Sequence, residues 1–194
     1  MGIIDKKTGS DHPSIDVQIS AYVELLRVGK GVEDGLTFDE NTHRYTVNGQ
    51  VIPSVTQVLK SCGLSHDFSN IDPWYAQRGT YVHTATEMWE NGSLDEETLD
   101  PLLMPYLDAY KSFRADFTHN VLYQELLLYH PVHMYAGTID MVVDTNHHYK
   151  LFLTGDGRYK LIEINDIRSK FNVFVSALNV MRWKQTNLKE DSHG

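Results

Sequence analysis

The sequence predicts an α/β protein with layers of helices and strands, and three observations support this prediction. The chain has 194 residues, enough for one domain with a sizeable core. Its hydrophobic fraction of 41% and charged fraction of 22% are those of a globular protein. Segments with helical spacing alternate with strand-like runs, which is typical of layered folds.

The beginning of the chain is expected to form a strand followed by a helix. Residues 2–4 are typical of a buried strand, and a polar, turn-rich stretch follows them. Apolar residues recur at helical spacing over 15–26, and Ser14 can cap that helix. Two glycines, Gly29 and Gly31, are expected to end it.

The rest of the chain alternates between the two kinds of element. From residue 36 to 117 the patterns predict strands Leu36–Phe38 and Arg44–Val47, a hairpin turn at Asn48-Gly49, a helix carrying Val55, Val58 and Leu59, a helix from Asp72-Pro73 to Trp89, and a helix over Leu99–Phe117. After these they predict strands Val121–Tyr129, Tyr135–Asp144, Tyr149–Leu153 and Tyr159–Ile164, and a helix over Asn172–Trp183. The polar tail, 184–194, is expected to fray.

Composition and charge exclude several classes of protein. The net charge of −9 argues against a broad phosphate-binding surface, because nucleic-acid binders usually carry a basic excess. No apolar run reaches the roughly 18 residues that span a bilayer, and the N-terminus lacks the basic start of a secretion signal. A single cysteine, Cys62, excludes a disulfide framework and a thiolate zinc cluster. A cytoplasmic protein without a membrane partner is therefore expected.

Two short patterns on predicted strands place acids beside other chemical groups. Asp5 and Lys7 lie two residues apart and so face the same side of a strand. They can hold a metal and orient a water, or form a surface ion pair. Asp140 follows Gly137 within an apolar strand, where a carboxylate needs a partner such as a metal ion or backbone donors.

Two further patterns lie on predicted helices. His83 and Glu87 are four residues apart and share a helix face, as do Gln18 and Tyr22. The first pair can contribute a metal ligand, and the second can hydrogen-bond phosphate or catalytic groups. Each pair is also compatible with a purely structural role.

Other common catalytic motifs are absent from the sequence. The sequence contains no H-E-x-x-H, neither glycine-rich phosphate loop and no G-x-S-x-G. The ten histidines, including His147 and His148, are dispersed, so a dedicated histidine cluster is not expected.

Together these features resemble the RecB-like branch of the PD-(D/E)XK nuclease superfamily, in particular its phage-encoded exonuclease-like proteins. The motifs that carry the resemblance are R-G-x-x-x-H (Arg78–His83), G-x-x-D (Gly137–Asp140), D-x-K-T-G (Asp5–Gly9) and Q-x-x-x-Y (Gln18–Tyr22). Similar stretches on both sides extend it over nearly the whole chain. The resemblance implies a restriction-endonuclease-like core with a central mixed β-sheet flanked by helices.

The order of the segments departs from that of the family. Residues 1–35 resemble a block that the family carries between the positions of His148 and Tyr149. A single domain over 1–194 is expected, with the displaced strand and helix in 1–35, the His helix and G-x-x-D strand in 36–148, the closing hairpin and helix in 149–184, and a tail in 185–194. The displaced strand is expected to dock in its usual slot of its own chain, or in a neighbouring molecule of a swapped homo-oligomer.

A rival interpretation keeps the family's order and uses Glu163-Ile164-Asn165 as the acid-and-base element. Asn165 cannot serve as the cationic group, so this version predicts a weakened or inactive site. The displaced block is preferred because it carries the acid, the lysine and the downstream Q-x-x-x-Y motif together, whereas Glu163 matches the closing hairpin.

The resemblance implies metal-dependent hydrolysis of DNA phosphodiester bonds. Asp140, Asp5, His83 and the backbone carbonyl of Lys6 would bind Mg²⁺ or Mn²⁺. Lys7 would position a water and offset negative charge in the transition state. Glu125 matches an acid often found in the family and would act through a water or a second metal. DNA would be contacted by Gln18, Tyr22 and Arg78.

Several functional alternatives follow. The first is an active exonuclease on duplex DNA ends in phage recombination or repair, working in the cytoplasm of a bacterial host. The second is a weak or inactive nuclease-fold module that binds DNA or a recombination partner protein, and the third is an unrelated metallohydrolase that uses the histidines. The acidic net charge disfavours a broad DNA-binding surface. If the protein is a nuclease, a narrow basic entrance formed by Lys6, Lys7 and Arg78 is therefore expected within an acidic surface.

Overall fold

In a computed structural model that describes residues 1–65 and 72–188, the chain is an α/β protein whose mixed five-stranded sheet is flanked by helices. Its contacts divide the described residues into two compact units. The first unit comprises 1–11, 72–126 and 140–164, and the second comprises 12–65, 127–139 and 165–188. The expectation of one domain with the subdivisions given above stays a prediction.

The described residues form eight strands and five α-helices. The strands are β1 (Gly2–Lys7), β2 (Leu36–Asp39), β3 (Arg44–Val47), β4 (Gln50–Ile52), β5 (Val121–Tyr129), β6 (Ala136–Val143), β7 (Tyr149–Leu153) and β8 (Tyr159–Glu163). The helices are α1 (Pro13–Val28), α2 (Val55–Ser61), α3 (Pro73–Glu90), α4 (Met104–Asp116) and α5 (Ile167–Asn187). Short 3₁₀ turns occur at Val32–Asp34 and Glu96–Thr98.

The N-terminal strand lies in the middle of the five-stranded sheet, whose order is β5-β6-β1-β7-β8. It pairs antiparallel with β6, where Ile3 is opposite Val142, and parallel with β7, where Asp5 is opposite Lys150. The chain therefore inserts its first strand between the G-x-x-D strand and the closing hairpin of its own sheet. This is the slot expected for the displaced block.

One face of this sheet is covered by α3 and α4 within the first unit. The buried side chains of that layer are Ile4, Val82, Leu103, Tyr106, Ala109, Tyr110, Phe113, Met141, Val143, Leu151 and Leu153. Burial of this many apolar side chains supplies the main favourable free energy that holds β1 in place. The strand that carries Asp5 and Lys7 is thus fixed by the core of the unit.

The second unit contains a small antiparallel sheet with the order β2-β3-β4. Asn48 and Gly49 connect β3 to β4 with φ angles of 50° and 83°, as a two-residue hairpin turn requires. The turn prediction was correct, and the sequence did not reveal β4. The buried residues of this core are Leu36, Tyr45, Val47, Ile52, Tyr129 and Ala136.

The ends of three helices differ from the predictions. α1 is capped by His12, whose side chain accepts a hydrogen bond from the Ser14 N–H, so Ser14 lies inside the first turn. α4 begins later than predicted because Pro105, which lacks an N–H, occupies its first turn. α5 is longer than predicted at both ends and includes part of the tail expected to fray, while residues 189–194 lie outside the described residues.

Candidate metal centre

Three side chains from three different elements of the first unit meet at one point. His83 of α3, Glu125 of β5 and Asp140 of β6 offer ligand atoms that all lie within 4.8 Å of one another. Only 12% of the Asp140 side chain and 29% of the His83 side chain is exposed. A small, largely buried group of two carboxylates and an imidazole is a donor set that suits Mg²⁺ or Mn²⁺.

Strand β1 brings a second pair of charged groups to this point. Asp5 and Lys7 share one face of the strand, and Lys7 Nζ lies 2.8 Å from Asp5 Oδ2. Asp5 is buried, and the charge of Asp140 acts on its carboxyl group. β1 and β6 therefore bring these two acids close enough for each to influence the ionisation of the other.

The backbone of Lys6 holds two of the candidate ligands. Its N–H donates to Asp140 Oδ2 at 2.8 Å, and its carbonyl accepts a hydrogen bond from His83 Nε2 at 3.1 Å. With Nε2 protonated, the lone pair lies on His83 Nδ1, which is 3.6 Å from Asp140 Oδ2. One peptide unit on each side of Lys6 thus orients both the carboxylate and the imidazole. That the Lys6 carbonyl itself binds a metal stays a prediction.

The two neighbouring acids have opposite pKa shifts. Burial, together with the charge of Asp140, raises the pKa of Asp5 to about 7, although Lys7 opposes this rise. Burial also acts on Asp140, but the nearby charges of His83, Lys7 and Lys6 and the Lys6 N–H lower its pKa. The two carboxyl groups therefore titrate as a coupled pair, in which the nearby positive charges favour the ionised form of Asp140.

Glu125 occupies an unusual backbone position. Its φ angle is 45°, in the left-handed region that a glutamate within a strand rarely adopts. Its Oε1 atom is buried and has no hydrogen-bond partner among the described residues. Burial and the charges of Asp140 and Glu87 raise the pKa of Glu125 to about 7, and Lys6 opposes this rise. A cation beside this oxygen would satisfy it, so the residues present fit a divalent metal.

The raised pKa values predict a stability that depends on pH and metal. Because folded Asp5 and Glu125 keep protons that the unfolded chain loses near pH 4, both groups destabilise the fold as pH rises from about 5 to about 8. In EDTA, we expect the free energy of unfolding of Glu125→Gln to increase relative to that of the wild type as pH rises over this range. We expect Mn²⁺ to restore the stability that the wild type loses, because the ion binds only the folded protein.

Urea unfolding at about pH 5 and about pH 8 measures the difference in the free energy of unfolding between the wild type and Glu125→Gln. Comparison with the variant is needed because the lowered pKa values of buried histidines such as His83 change stability in the opposite direction. An unchanged difference between wild type and Glu125→Gln from pH 5 to pH 8 would contradict the prediction.

Lys7 is a charged group at neutral pH. Burial alone would lower the pKa of Lys7, but the charges of Asp5 and Asp140 outweigh it and raise the pKa. An ammonium group cannot take a proton from a water. Lys7 can therefore orient a water and stabilise negative charge, but it cannot act as a general base.

The Lys6 side chain corrects the expectation of a basic entrance. It points to the opposite face of β1, is only 1% exposed, and donates from Nζ to Thr86 Oγ1 at 3.1 Å. The Lys6 ammonium lies over the Tyr110 ring, so a phosphate group of DNA cannot reach it from solvent. Lys6 instead places a buried positive charge near Glu125 and Asp140. The sequence signal was its spacing of two residues from the buried Ile4.

Arg78 also has its guanidinium engaged within the protein. Its Nη2 donates to the Thr8 carbonyl at 2.9 Å, which ties α3 to the end of β1. The group lies over the rings of Tyr75 and Tyr106, at 4.9 Å and 5.0 Å from their centres. DNA contact by Arg78 stays a prediction.

Gln18 and Tyr22 belong to the second unit. Gln18 Nε2 donates to Tyr22 Oη at 3.0 Å, as their spacing on α1 predicts. The Tyr22 ring is buried and passes close to Gly137, where an added Cβ would lie 2.6 Å from Tyr22 Cε1. The glycine of G-x-x-D is thus needed to admit the tyrosine of Q-x-x-x-Y. DNA contact by Gln18 and Tyr22 stays a prediction.

We expect Gly137→Ala to destabilise the protein by about 1–3 kcal/mol, because the buried Tyr22 ring must move to admit the methyl group. Denaturant unfolding measures the change. Gly9→Ala is the matched control, since a Cβ at Gly9 would have nothing within 4 Å. Equal stability of the two variants would show that the contact is not tight.

The rival acid lies elsewhere in the first unit. Glu163 is at the end of the outermost strand β8, with 43% of its side chain exposed, and its Oε1 lies 2.8 Å from His147 Nδ1. It is not one of the three residues that meet at the candidate metal centre. Which of the two acid-and-base elements serves the site stays a prediction.

Comparisons with known proteins add no family assignment. No protein-family model matches the chain, and no curated protein matches its sequence significantly. Among the described residues, no helix is long and apolar enough to cross a membrane.

Proposed function

We propose that this protein is a metal-dependent deoxyribonuclease with a restriction-endonuclease-like core. The observation that carries the proposal is the meeting of His83, Glu125 and Asp140 beside the Asp5–Lys7 pair. The central position of β1 in the sheet supports the same proposal, because it restores the strand order that the motifs imply. DNA ends in recombination or repair are the proposed substrate, in the cytoplasm of a phage-infected bacterium.

Asp140, Glu125 and His83 would hold the metal, with Asp5 next to them. The unsatisfied Glu125 Oε1 and the ionised Asp140 supply negative charge, and the lone pair of His83 Nδ1 favours Mn²⁺ as well as Mg²⁺. When bound, such an ion polarises a phosphoryl oxygen and makes a bound water more acidic.

The protein's own residues have defined tasks in this proposal. The Lys6 peptide groups hold Asp140 and His83 in one orientation, so little reorganisation is needed at the site. Asp5 fixes the Lys7 ammonium through their ion pair. Lys7, which is 23% exposed, orients the attacking water and offsets the charge that develops on the phosphoryl group.

The test is an assay of DNA degradation by the purified protein. We expect linear duplex DNA to be degraded in Mg²⁺ and in Mn²⁺ but not in EDTA, and covalently closed circular DNA to resist degradation if ends are required. Absence of cleavage with both ions would overturn the proposal in favour of a nuclease-fold module that binds DNA or a partner. Activity retained in His83→Ala/Asp140→Ala would indicate an unrelated metallohydrolase.

A further inference from the structure

A stack of planar groups lies along helix α3 in the first unit. The Arg78 guanidinium carbon lies 4.9 Å from the centre of the Tyr75 ring and 5.0 Å from the centre of the Tyr106 ring. Tyr106 is buried, and 52% of Tyr75 is exposed. The stack therefore begins in the core and ends in an aromatic ring at the surface.

The inner part of the stack is fixed in position. Arg78 donates to the Thr8 carbonyl, one residue beyond Lys7, and its Nε atom is buried without a hydrogen-bond partner among the described residues. A guanidinium that is hydrogen-bonded and lies over both rings restricts the rotamer of Tyr75, so little side-chain entropy is lost when a second planar group stacks on that ring.

The position of Tyr75 relative to the candidate metal centre suits a nucleic acid strand. Tyr75, Gly79 and His83 follow at intervals of four residues, so they lie on neighbouring parts of one helix surface. Eight residues of helix span about 12 Å, the rise of three to four stacked nucleotides at about 3.4 Å each. Gly79, between them, lies against the end of β1, where an added Cβ would be 3.4 Å from Thr8 Oγ1.

We propose that Tyr75 is a stacking platform for an unpaired nucleobase, and that the site takes DNA through a single-stranded or frayed end. This inference rests on the proposed function, because it names the substrate form for the same site. Base–aromatic stacking contributes affinity in addition to phosphate contacts, and the ring of Tyr75 offers it where the side chains of Lys6 and Arg78 are engaged inside the protein.

Binding without cleavage tests the platform. The probes are a 12-nucleotide single strand with 2-aminopurine near one end and a blunt duplex of the same sequence, both in EDTA. We expect the wild type to quench 2-aminopurine and to bind the single strand more tightly than the duplex. Tyr75→Ala should weaken binding of the single strand by about 5- to 150-fold, as loss of one base–aromatic stack does.

Two further variants separate ring stacking from apolar contact. Tyr75→Phe keeps the ring and should keep both affinity and quenching, whereas Tyr75→Leu should behave like Tyr75→Ala. Equal single-strand affinity of wild type and Tyr75→Ala, or of Tyr75→Phe and Tyr75→Leu, would overturn the platform, as would a wild type that binds no single strand. If the protein binds the single strand and quenches 2-aminopurine but does not cleave DNA in Mg²⁺ or Mn²⁺, the stacking platform is supported and the proposed nuclease function is wrong. If the protein cleaves DNA and Tyr75→Ala binds the single strand as tightly as the wild type, the nuclease function is supported and the platform is wrong.

Discussion

We expect Lys7→Met to reduce DNA cleavage by about 10²- to 10³-fold, the loss that follows removal of one charge-stabilising donor from an active site. The ammonium lies 2.8 Å from Asp5, and its raised pKa keeps it charged over the whole physiological range. Methionine retains the length and much of the volume of the side chain. The loss should therefore come from the missing charge rather than from altered packing.

A measurement of Mn²⁺ affinity distinguishes loss of the Lys7 charge from a structural disruption of the metal site. In Lys7→Met the affinity for Mn²⁺ should change by less than about tenfold, because loss of a repelling charge is offset by stronger proton competition at Asp5 and Asp140. Lys160→Met, at an exposed position of β8, is the control and should cleave like the wild type. Cleavage in Lys7→Met within about threefold of the wild type would exclude the proposed role.

Local patterns were sufficient to predict most elements of the fold. The apolar periodicity predicts α1, and the pair Asn48-Gly49 predicts the turn between β3 and β4. Both patterns depend only on residues that are close in sequence. The position of β1 in the sheet was predicted from the order of the motifs. Local patterns could not predict it, because the pairing of β1 with β6 and β7 joins residues more than a hundred positions apart. Capping by His12 instead of Ser14 depends on a loop conformation that composition does not specify.

The candidate site was predictable in its membership and less so in its electrostatics. Asp5, Lys7, His83, Glu125 and Asp140 could be named from motifs. The opposite pKa shifts of Asp5 and Asp140 could not, because they depend on burial and on which carboxyl meets the Lys6 N–H. The buried course of the Lys6 side chain likewise depends on α3 and α4 covering that face of β1.

Loss of the Asp140 charge should have the largest effect of any single change at the site. We expect Asp140→Asn to reduce cleavage by about 10³-fold, a few kcal/mol of transition-state stabilisation. Mn²⁺ affinity should fall at least about 100-fold, the upper end of the loss caused by removing a group that merely supports a metal ligand. Asparagine can still accept the Lys6 N–H, so the fold should be retained.

The matched control for this change is Glu163→Gln, which alters the acid of the rival interpretation. Glu163 is exposed and paired with His147, so its amide should leave both cleavage and Mn²⁺ affinity within about twofold of the wild type. Isothermal titration with Mn²⁺ and the cleavage assay, applied to both variants, distinguish the two acids. If Glu163→Gln lost activity, the acid of the rival interpretation would be required for cleavage, and the assignment of Asp5 of β1 as the second acid would fail. β1 would then keep its place in the centre of the sheet without supplying the catalytic acid.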